Sequence, residues 1–360
     1  MDSRRVFFLL GFFFVYSLVQ LFNLLCFALD RILYPDFANR KLQAPVFIIG
    51  PPRSGTTFIH RLLSKDEANF FCFRTWELIF PAIVQKRMIA RLGRIDSRLG
   101  SPLHRAIERF EAGRFQEFGK MHKISLFSPE EDDKLLIHIF SFHGLVWLFP
   151  YPDELRWLNY FDQLGPDQER DRIMRFYRMC IQRQARYLDT RSHLLSKNPF
   201  SCHKIASLLH HFPGCKFIYM IRNPLDVIPS MISLANGITR NTLKMPGGNQ
   251  LEQEAYQTAL SFYRYPLKLL EEQDPACYTI VNYEDLVRNP SLVVQNIYQH
   301  FGLPLSDAFR QLLVEEDLSM KRYQSRHTYS LQQLSIGPQR IREDLGEIFL
   351  RFGFDQRKGT

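Results

Sequence analysis

The 360-residue chain lacks the patterns that mark several common classes of binding protein. It has no run of lysine and arginine alone, no zinc-type spacing of cysteine and histidine, and no aromatic signature of RNA-binding modules. Its six cysteines are scattered without a C-x-x-C pair, which favours buried thiols, although an even count leaves one or two disulfides open. No internal repeat or low-complexity tract occurs. These absences argue against a nucleic acid as the partner.

Composition and charge favour a folded protein with a small anionic partner. Hydrophobic residues make up 46% of the chain and aromatic residues 14%, enough for a sizeable core. The formal charge is +9, from 46 lysines and arginines against 37 acids. This excess suits a nucleotide or a lipid headgroup.

Charge is absent from Val6 to Leu29, across 24 positions. That length predicts a single-pass transmembrane helix, with residues 1–30 as anchor and 31–44 as a short linker. The main alternative is a cleaved signal peptide, whose apolar region would be shorter and followed by small residues. A tilted or interfacial helix stays open because Gln20 and Asn23 lie on a similar side and lower its hydrophobicity.

Membrane orientation is not decided by the flanking charges. Arg4 and Arg5 precede the apolar segment, while Arg31, Arg40 and Lys41 follow it, so the positive-inside rule is nearly balanced. We expect a Golgi-type lumenal protein in a eukaryote, or a protein of the inner membrane facing the cytoplasm in a bacterium.

The rest of the chain alternates predicted strands and helices, which predicts an α/β fold with a parallel sheet covered on both faces. Residues 45–360 are expected to form this domain. Predicted strands are Pro45–Gly50, His193–Ser196, Lys216–Ile221 and Tyr278–Asn282. Predicted helices include Cys202–His211, Leu225–Ala235, Glu77–Phe118 and Asp167–Leu188.

The first strand runs into a glycine-containing loop and then a helix. Such a loop aims backbone N–H groups and a helix N-terminus at a phosphate. Gly50 and Gly55 have the spacing of a Walker A motif, but Thr56 stands where that motif has its lysine, and Arg53 supplies the cation instead. No predicted strand ends in the aspartate that would complete a magnesium site, so no metal is expected.

A second anion site is predicted after the strand Lys216–Ile221. Arg222 stands at its carboxyl end, and Asn223 and Pro224 suit the start of a helix. Ser230 lies in the second turn of that helix, where its hydroxyl and the arginine would converge on one phosphate. Two separate sites suit a ligand with two separated anionic groups, whereas a triphosphate would place all its phosphates on one loop.

The string Pro-Arg-Ser-Gly-Thr-Thr, with the Arg222 element, resembles the sulfotransferase family from Val46 to Phe352. The resemblance implies the three-layer parallel sheet of P-loop type and a donor, 3′-phosphoadenosine 5′-phosphosulfate (PAPS). It also implies that Arg222 and Ser230 bind the 3′-phosphate. The residues implied for the 5′-phosphosulfate are Arg53, Ser54, Gly55, Thr56 and Thr57.

Further family elements supply candidates for catalysis. Leu195-Ser196-Lys197-Asn198-Pro199 resembles the family's L-K-S-P element, with Asn198 replacing the usual serine, and Lys197 would neutralise the leaving phosphate. The segment 326–331 resembles one that closes over the nucleotide, which makes Arg326 a cofactor candidate. Tyr283-Glu284-Asp285-Leu286 resembles a structural signature of the family.

The acceptor must be made nucleophilic by a base. Glu77 is the first candidate, since relatives carry a proposed glutamate base in a comparable stretch. Glu131 or Asp132 of an acidic cluster, and His122, are alternatives, because crowded carboxylates raise one another's pKa and histidine titrates near neutrality.

The sequence therefore predicts a PAPS-dependent sulfotransferase that acts on a hydroxyl or amine. Its acceptor, a lipid, a glycan or a small molecule, is not identified. A P-loop kinase or other phosphotransferase and a catalytically inactive membrane scaffold are the alternatives.

Overall fold

We describe the protein from a computed structural model, for residues 3–114, 125–147, 152–238, 249–320 and 336–355. Within this part of the chain, the strands form one parallel sheet of five, in the order β2-β3-β1-β4-β5. They are β1 Val46–Ile49, β2 Phe70–Phe71, β3 His193–Lys197, β4 Lys216–Ile221 and β5 Tyr278–Asn282.

Helices connect and cover the strands. In chain order they are α1 Ser3–Leu33, α2 Thr56–Leu63, α3 Thr75–Ile79, α4 Ile83–Arg98, α5 Pro102–Arg114, α6 Pro152–Leu155, α7 Phe161–Leu164, α8 Asp167–Leu188, α9 Ile205–His211, α10 Pro224–Ile238, α11 Asn249–Glu271, α12 Tyr283–Arg288, α13 Pro290–Phe301, α14 Asp307–Met320, α15 Pro338–Asp344 and α16 Gly346–Phe352.

Alternating side chains of β1 face the two sides of the sheet, and both sides are buried. Val46 and Ile48 join an apolar cluster with residues of α2 and α13. Phe47 faces the other side and stacks on Phe217 of β4, with ring centroids 5.7 Å apart. A central parallel strand covered on both faces is apolar throughout, as the sequence of β1 is. The predicted α/β fold is confirmed.

Several predicted elements match closely and two do not. β4, β5 and α8 have the predicted bounds. The segment Glu77–Phe118, predicted to be helical, is divided by Pro81 and Pro102 into α3, α4 and α5, and its residues 115–118 lie outside the described part of the chain. The helix predicted over Cys202–His211 starts instead with a 3₁₀ turn, Pro199–His203, and becomes α9 at Ile205.

The chain divides into two compact units. The first comprises residues 1–43, 72–140 and 175–191, and the second comprises 44–71, 141–174 and 192–360. The whole sheet belongs to the second unit, whereas α1, α3, α4 and α5 belong to the first. The boundaries of anchor, linker and domain stay a prediction.

Helix α1 is long and apolar enough, over Leu9–Leu33, to cross a membrane. One of its faces nevertheless packs on other helices of the first unit. The carboxylate of Asp30 is buried, where it accepts hydrogen bonds from the backbone N–H groups of Ile83 (2.9 Å) and Val84 (3.0 Å) and pairs with Arg183 at 3.0 Å. Asp30 thus caps the N-terminus of α4 from a different helix.

All six cysteines are free thiols, four of them buried, as the sequence favoured. The disulfides that the even count left open are therefore not formed.

Candidate functional site

The predicted donor residues of the second unit gather at one edge of the sheet. β1, β3, β4 and β5 are parallel, so their carboxyl ends lie at the same edge. The loop before α2 follows β1, Lys197 ends β3, and Arg222 follows β4. The backbone N–H of Asn198 donates to the carbonyl of Ile48 (3.3 Å), which ties the end of β3 to that of β1.

At two positions of the loop of residues 50–55, the backbone conformation and the close neighbours leave room only for glycine. Gly55 has φ +92°, and a Cβ atom there would lie 2.7 Å from Cδ2 of Tyr283. Gly50 has φ +146°, and a Cβ atom there would clash with the carbonyl of Met220 in β4. The turn therefore lies close against its neighbours, and it delivers the first, unpaired N–H groups of α2 to the sheet edge.

Ser54 lies in this loop with its side chain fully buried. Its hydroxyl has no hydrogen-bond partner among the described residues. A buried hydroxyl without a partner is costly unless a ligand satisfies it, so this atom fits a phosphate or sulfate oxygen. Thr56, next to the loop, is also buried.

The two predicted anion sites are joined by a hydrogen bond. Nη1 of Arg222 donates to the backbone carbonyl of Arg53 at 3.2 Å. The guanidinium carbon lies 4.2 Å from the ring centroid of Tyr283, and Nε lies 3.6 Å from Oδ2 of Asp226. The strand-end arginine is thereby held in place beside the loop of residues 50–55.

Helix α10 begins as its sequence predicts. Oδ1 of Asn223 accepts a hydrogen bond from the N–H of Leu225 at 3.0 Å, and Pro224 is the first helical residue. The helix carries Ser230, which is buried. Tyr263 donates a hydrogen bond of 2.9 Å from its hydroxyl to the carbonyl of Arg222, which fixes the junction of β4 and α10.

Two residues that the structure brings to this edge are not predicted from the sequence as site residues. Tyr283, which the sequence places in a structural signature, packs on Arg222 and occupies the space that a side chain at residue 55 would need. Asn198, treated as a departure from the usual serine, is buried with Nδ2 unpartnered among the described residues, while Oδ1 accepts from the N–H of Phe200 at 2.9 Å. Neither role is visible in sequence because each depends on pairing between distant strands. Lys197, beside Asn198, is also buried.

The described candidate bases, Glu77, Glu131 and Asp132, belong to the first unit. Glu77 is buried in α3, where Oε2 accepts a hydrogen bond of 2.7 Å from the N–H of Arg74. Lys86 of α4 is fully buried and donates to Gln184. Burial lowers the pKa of Lys86 to about 8, and the charge of Glu77 partly opposes this shift. Glu77 is therefore a buried carboxylate in the first turn of a helix, and its charge acts on the buried amine of Lys86.

The other candidate bases have different surroundings. Asp132 is buried, and Oδ2 accepts a hydrogen bond of 2.5 Å from the hydroxyl of Tyr177. Glu131 immediately precedes a 3₁₀ turn, Asp132–Ile139. His122 and Arg326 lie outside the described residues.

The sheet edge thus combines two arginines, a buried hydroxyl and free N–H groups of a helix N-terminus. Such an arrangement binds anionic groups and stabilises negative charge that develops on a leaving group.

Comparison with known proteins gives a family for this arrangement. A model of the sulfotransferase family matches residues 45–307. A curated relative from Mycobacterium bovis, omega-hydroxy-beta-dihydromenaquinone-9 sulfotransferase Stf3, is 26% identical over 328 residues, which cover 87% of this chain and 76% of the relative. The protein of the same name from Mycobacterium tuberculosis matches equally.

Solved structures share the fold. The crystal structure of sulfotransferase STF9 from Mycobacterium avium has a TM-score of 0.73 at 17% identity, covering 91% of this chain and 81% of the other. That of sulfotransferase STF1 from Mycobacterium tuberculosis has a TM-score of 0.67 at 23% identity, covering 91% and 83%.

Proposed function

The chain belongs to the sulfotransferase family, and from this premise we propose that it transfers a sulfuryl group from PAPS to a hydroxyl of a lipid-like acceptor at a membrane. The observation that carries the proposal is the hydrogen bond from Arg222 to the backbone of Arg53. It joins two cationic elements that follow neighbouring strands, as a donor with phosphate on both its 3′ and 5′ positions requires. Arg222 and Ser230 are assigned to the 3′-phosphate by family resemblance.

The chemistry assigns a task to each group. The donor supplies an activated sulfur, and its bond to the 5′-phosphate oxygen breaks as the acceptor oxygen bonds to sulfur. Arg53, the loop N–H groups and Lys197 stabilise the charge that develops on the departing phosphate. The base receives the acceptor's proton. For that role we retain Glu77, with Glu131, Asp132 and His122 as alternatives.

Two features support a lipid-like acceptor. Stf3, by its name, acts on a hydroxylated menaquinone, a lipid. The chain itself carries an apolar helix long enough to reach into a bilayer. We therefore propose that residues 6–29 hold the enzyme at a membrane, where such an acceptor dissolves.

The donor assignment is tested by calorimetric titration of the full-length protein in detergent. Adenosine 3′,5′-bisphosphate and magnesium-ATP would be titrated into wild type, Arg53→Ala and Arg222→Ala. We expect each substitution to weaken bisphosphate binding by at least tenfold, since a hydrogen bond to a charged group contributes about 1.5–3 kcal/mol. Arg310→Ala, an exposed arginine of α14, is the matched control and should bind as wild type does. Tight magnesium-ATP binding indifferent to Arg222 would instead favour a phosphotransferase.

The base is tested separately with Glu77→Gln. Lost transfer with bisphosphate binding retained would support Glu77 and argue against an inactive scaffold. Full activity would move the role to Glu131, Asp132 or His122.

A further inference from the structure

Helices α4 and α5 expose a regular row of large apolar side chains. Met88, Leu92 and Ile95 of α4, and Leu99 just after its end, recur every three or four residues, and each is between 45% and 71% exposed. Leu103 and Phe110 are exposed on α5. A row of this kind is unusual on a surface that faces only water.

The two helices form a defined hairpin. Asp96 accepts hydrogen bonds from the backbone N–H groups of Leu103 (2.8 Å) and His104 (3.1 Å), and thereby caps α5. Gly100 and Ser101, both with positive φ, form the turn. The exposed apolar row is therefore held in place by specific hydrogen bonds.

Arginines flank the apolar row. Six arginines and three acids lie between Arg87 and Glu111. The acids are engaged locally: Asp96 caps α5, Glu111 accepts from the N–H of Leu126 at 2.7 Å, and Glu108 lies 3.4 Å from His104. The arginines are Arg87, Arg91, Arg94, Arg98, Arg105 and Arg109. Apolar side chains bordered by arginines complement an anionic lipid surface.

Helix α1 packs lengthwise on the same compact unit. The hydroxyl of Tyr16 donates to the carbonyl of Ile137 at 2.8 Å, and Asn23 accepts a hydrogen bond from Gln85 at 2.6 Å. With Asp30, these contacts extend over residues 16–30, a helical length of about 22 Å. Leu18, Leu21, Leu25 and Leu29 lie exposed on another face of the helix.

This packing leaves too little of α1 to cross a bilayer. Residues 3–15, which precede the docked stretch, span about 20 Å as helix, whereas the hydrocarbon core is about 30 Å thick. A protein unit bound along residues 16–30 would otherwise have to enter the hydrocarbon with them.

Helix α1 is also connected to α4, the first helix of the hairpin. Asp30 caps the start of α4, and the guanidinium of Arg87 lies 4.6 Å from the ring centroid of Tyr34, just after α1.

We propose that α1 and the α4–α5 hairpin form one monotopic surface that binds an anionic bilayer, with α1 lying along the interface instead of spanning the membrane. This surface replaces the single-pass anchor expected from the sequence, and it does not depend on the reaction proposed above.

Flotation with sealed phosphatidylcholine vesicles, with and without phosphatidylglycerol, tests the surface in the full chain. The double variant Leu92→Glu, Ile95→Glu should bind both vesicle types at least about tenfold less well, because two exposed apolar side chains that would enter the bilayer become charged. The matched control is Leu350→Glu, the same change at an exposed leucine of α16, which should bind normally. The triple variant Arg91→Ala, Arg94→Ala, Arg98→Ala should lose binding to anionic vesicles only, by about fivefold for each arginine.

Protease access shows whether α1 lies along the surface of the bilayer or crosses it. Protein with different tags at its two ends is added to preformed sealed vesicles, which are then treated with protease. A monotopic protein exposes both tags, whereas a protected N-terminal tag would overturn the proposal.

A second copy of the chain is the rival occupant of the hairpin. Melting temperature and bisphosphate binding first establish that the variants are folded. If Leu92→Glu, Ile95→Glu then separates a dimer in sedimentation experiments but floats as wild type does, the hairpin is a protein interface and the proposal fails.

Discussion

At the scale of single residues, Gly55 allows the loop of residues 50–55 to lie close against Tyr283. Its φ of +92° disfavours any side chain, and a Cβ atom would lie 2.7 Å from the Tyr283 ring that also packs on Arg222. We expect Gly55→Ala to weaken bisphosphate binding by at least tenfold and to lower the free energy of unfolding by about 1–3 kcal/mol.

The matched control is Gly93→Ala. Gly93 lies inside α4 with open space around it, so alanine there should stabilise the helix by about 0.5–1 kcal/mol. Calorimetric titration and denaturant unfolding measure both effects. Unchanged binding by folded Gly55→Ala would show that the loop tolerates a side chain and that the close approach to Tyr283 is unimportant.

His203 gives the fold a pH dependence. Burial, followed by the charge of Lys204, lowers the pKa of His203 to about 3, and Nε2 lies 2.9 Å from the hydroxyl of Ser261. Because the unfolded chain takes up this proton near pH 6.5, the stabilising contribution is complete above that pH and is lost as the pH falls toward 3. At pH 5 the loss from this group is roughly 2 kcal/mol.

Denaturant unfolding of wild type and His203→Gln at pH 7.5 and 5 checks this expectation. His203→Gln should lose much of the pH dependence of the free energy of unfolding. His104→Gln, a change at an exposed histidine of α5, should keep that dependence. Burial also lowers the pKa of His138, so some dependence should survive in the variant. An identical pH response in wild type and His203→Gln would refute the assignment.

The sequence predicted site residues whose position follows from a neighbouring strand in the chain. It did not predict those whose contacts come from strands distant in the chain. Arg53 and Arg222 each follow a recognisable strand, so their position at the sheet edge follows from parallel pairing. The contact of Tyr283 with Gly55, and the buried unpartnered Nδ2 of Asn198, depend on which strands are neighbours. Strand order is a tertiary property that hydrophobic periodicity does not contain.

At the scale of elements, apolar pattern identified the long strands and local signals set the helix ends. β4 and β5 are five or six residues long and appeared in the sequence with their observed bounds. β2 was missed because it has only two residues. The inward face of α1 was also missed, since its partners are supplied by α4 and α8, far along the chain.

We expect Asp30 to contribute more to the stability of the first unit than any other residue of α1. Its carboxylate accepts two backbone hydrogen bonds and pairs with buried Arg183. Asp30→Asn leaves that guanidinium buried without its charge partner, which we expect to cost about 3–5 kcal/mol. Adding Arg183→Met should recover part of this loss, as measured by unfolding in detergent.

Asp36→Asn provides the matched control. Asp36 pairs with Arg186 of α8 at 2.5 Å but is largely exposed, so its loss should cost at most about 1 kcal/mol. Equal effects of Asp30→Asn and Asp36→Asn would contradict a structural role for the buried pair. The same reasoning predicts that a chain lacking residues 1–40 is unstable, which is why the binding experiments use the full protein.

At the scale of the whole molecule, membrane binding would affect sulfuryl transfer because it would bring the enzyme to the bilayer that holds the acceptor. A lipid-like acceptor dissolves in the bilayer, so its effective concentration for a surface-bound enzyme is its mole fraction in the membrane. The rate with a hydroxylated isoprenoid quinone in vesicles should therefore follow that mole fraction and change little when vesicles and enzyme are diluted together. A soluble acceptor would instead give a rate that follows bulk concentration.

Comparing Leu92→Glu, Ile95→Glu with Leu350→Glu separates the membrane step from the chemical step. We expect the hairpin variant to transfer slowly to the quinone in vesicles because it binds the bilayer weakly, while Leu350→Glu transfers as wild type does. Radiolabelled sulfate appearing in the extracted lipid measures both rates. If the hairpin variant reaches the wild-type rate on vesicles, the acceptor does not enter from the surface formed by α1 and the hairpin. If neither vesicle-bound nor detergent-dispersed quinone is sulfated by wild type while bisphosphate still binds, the acceptor class is wrong but the donor assignment stands.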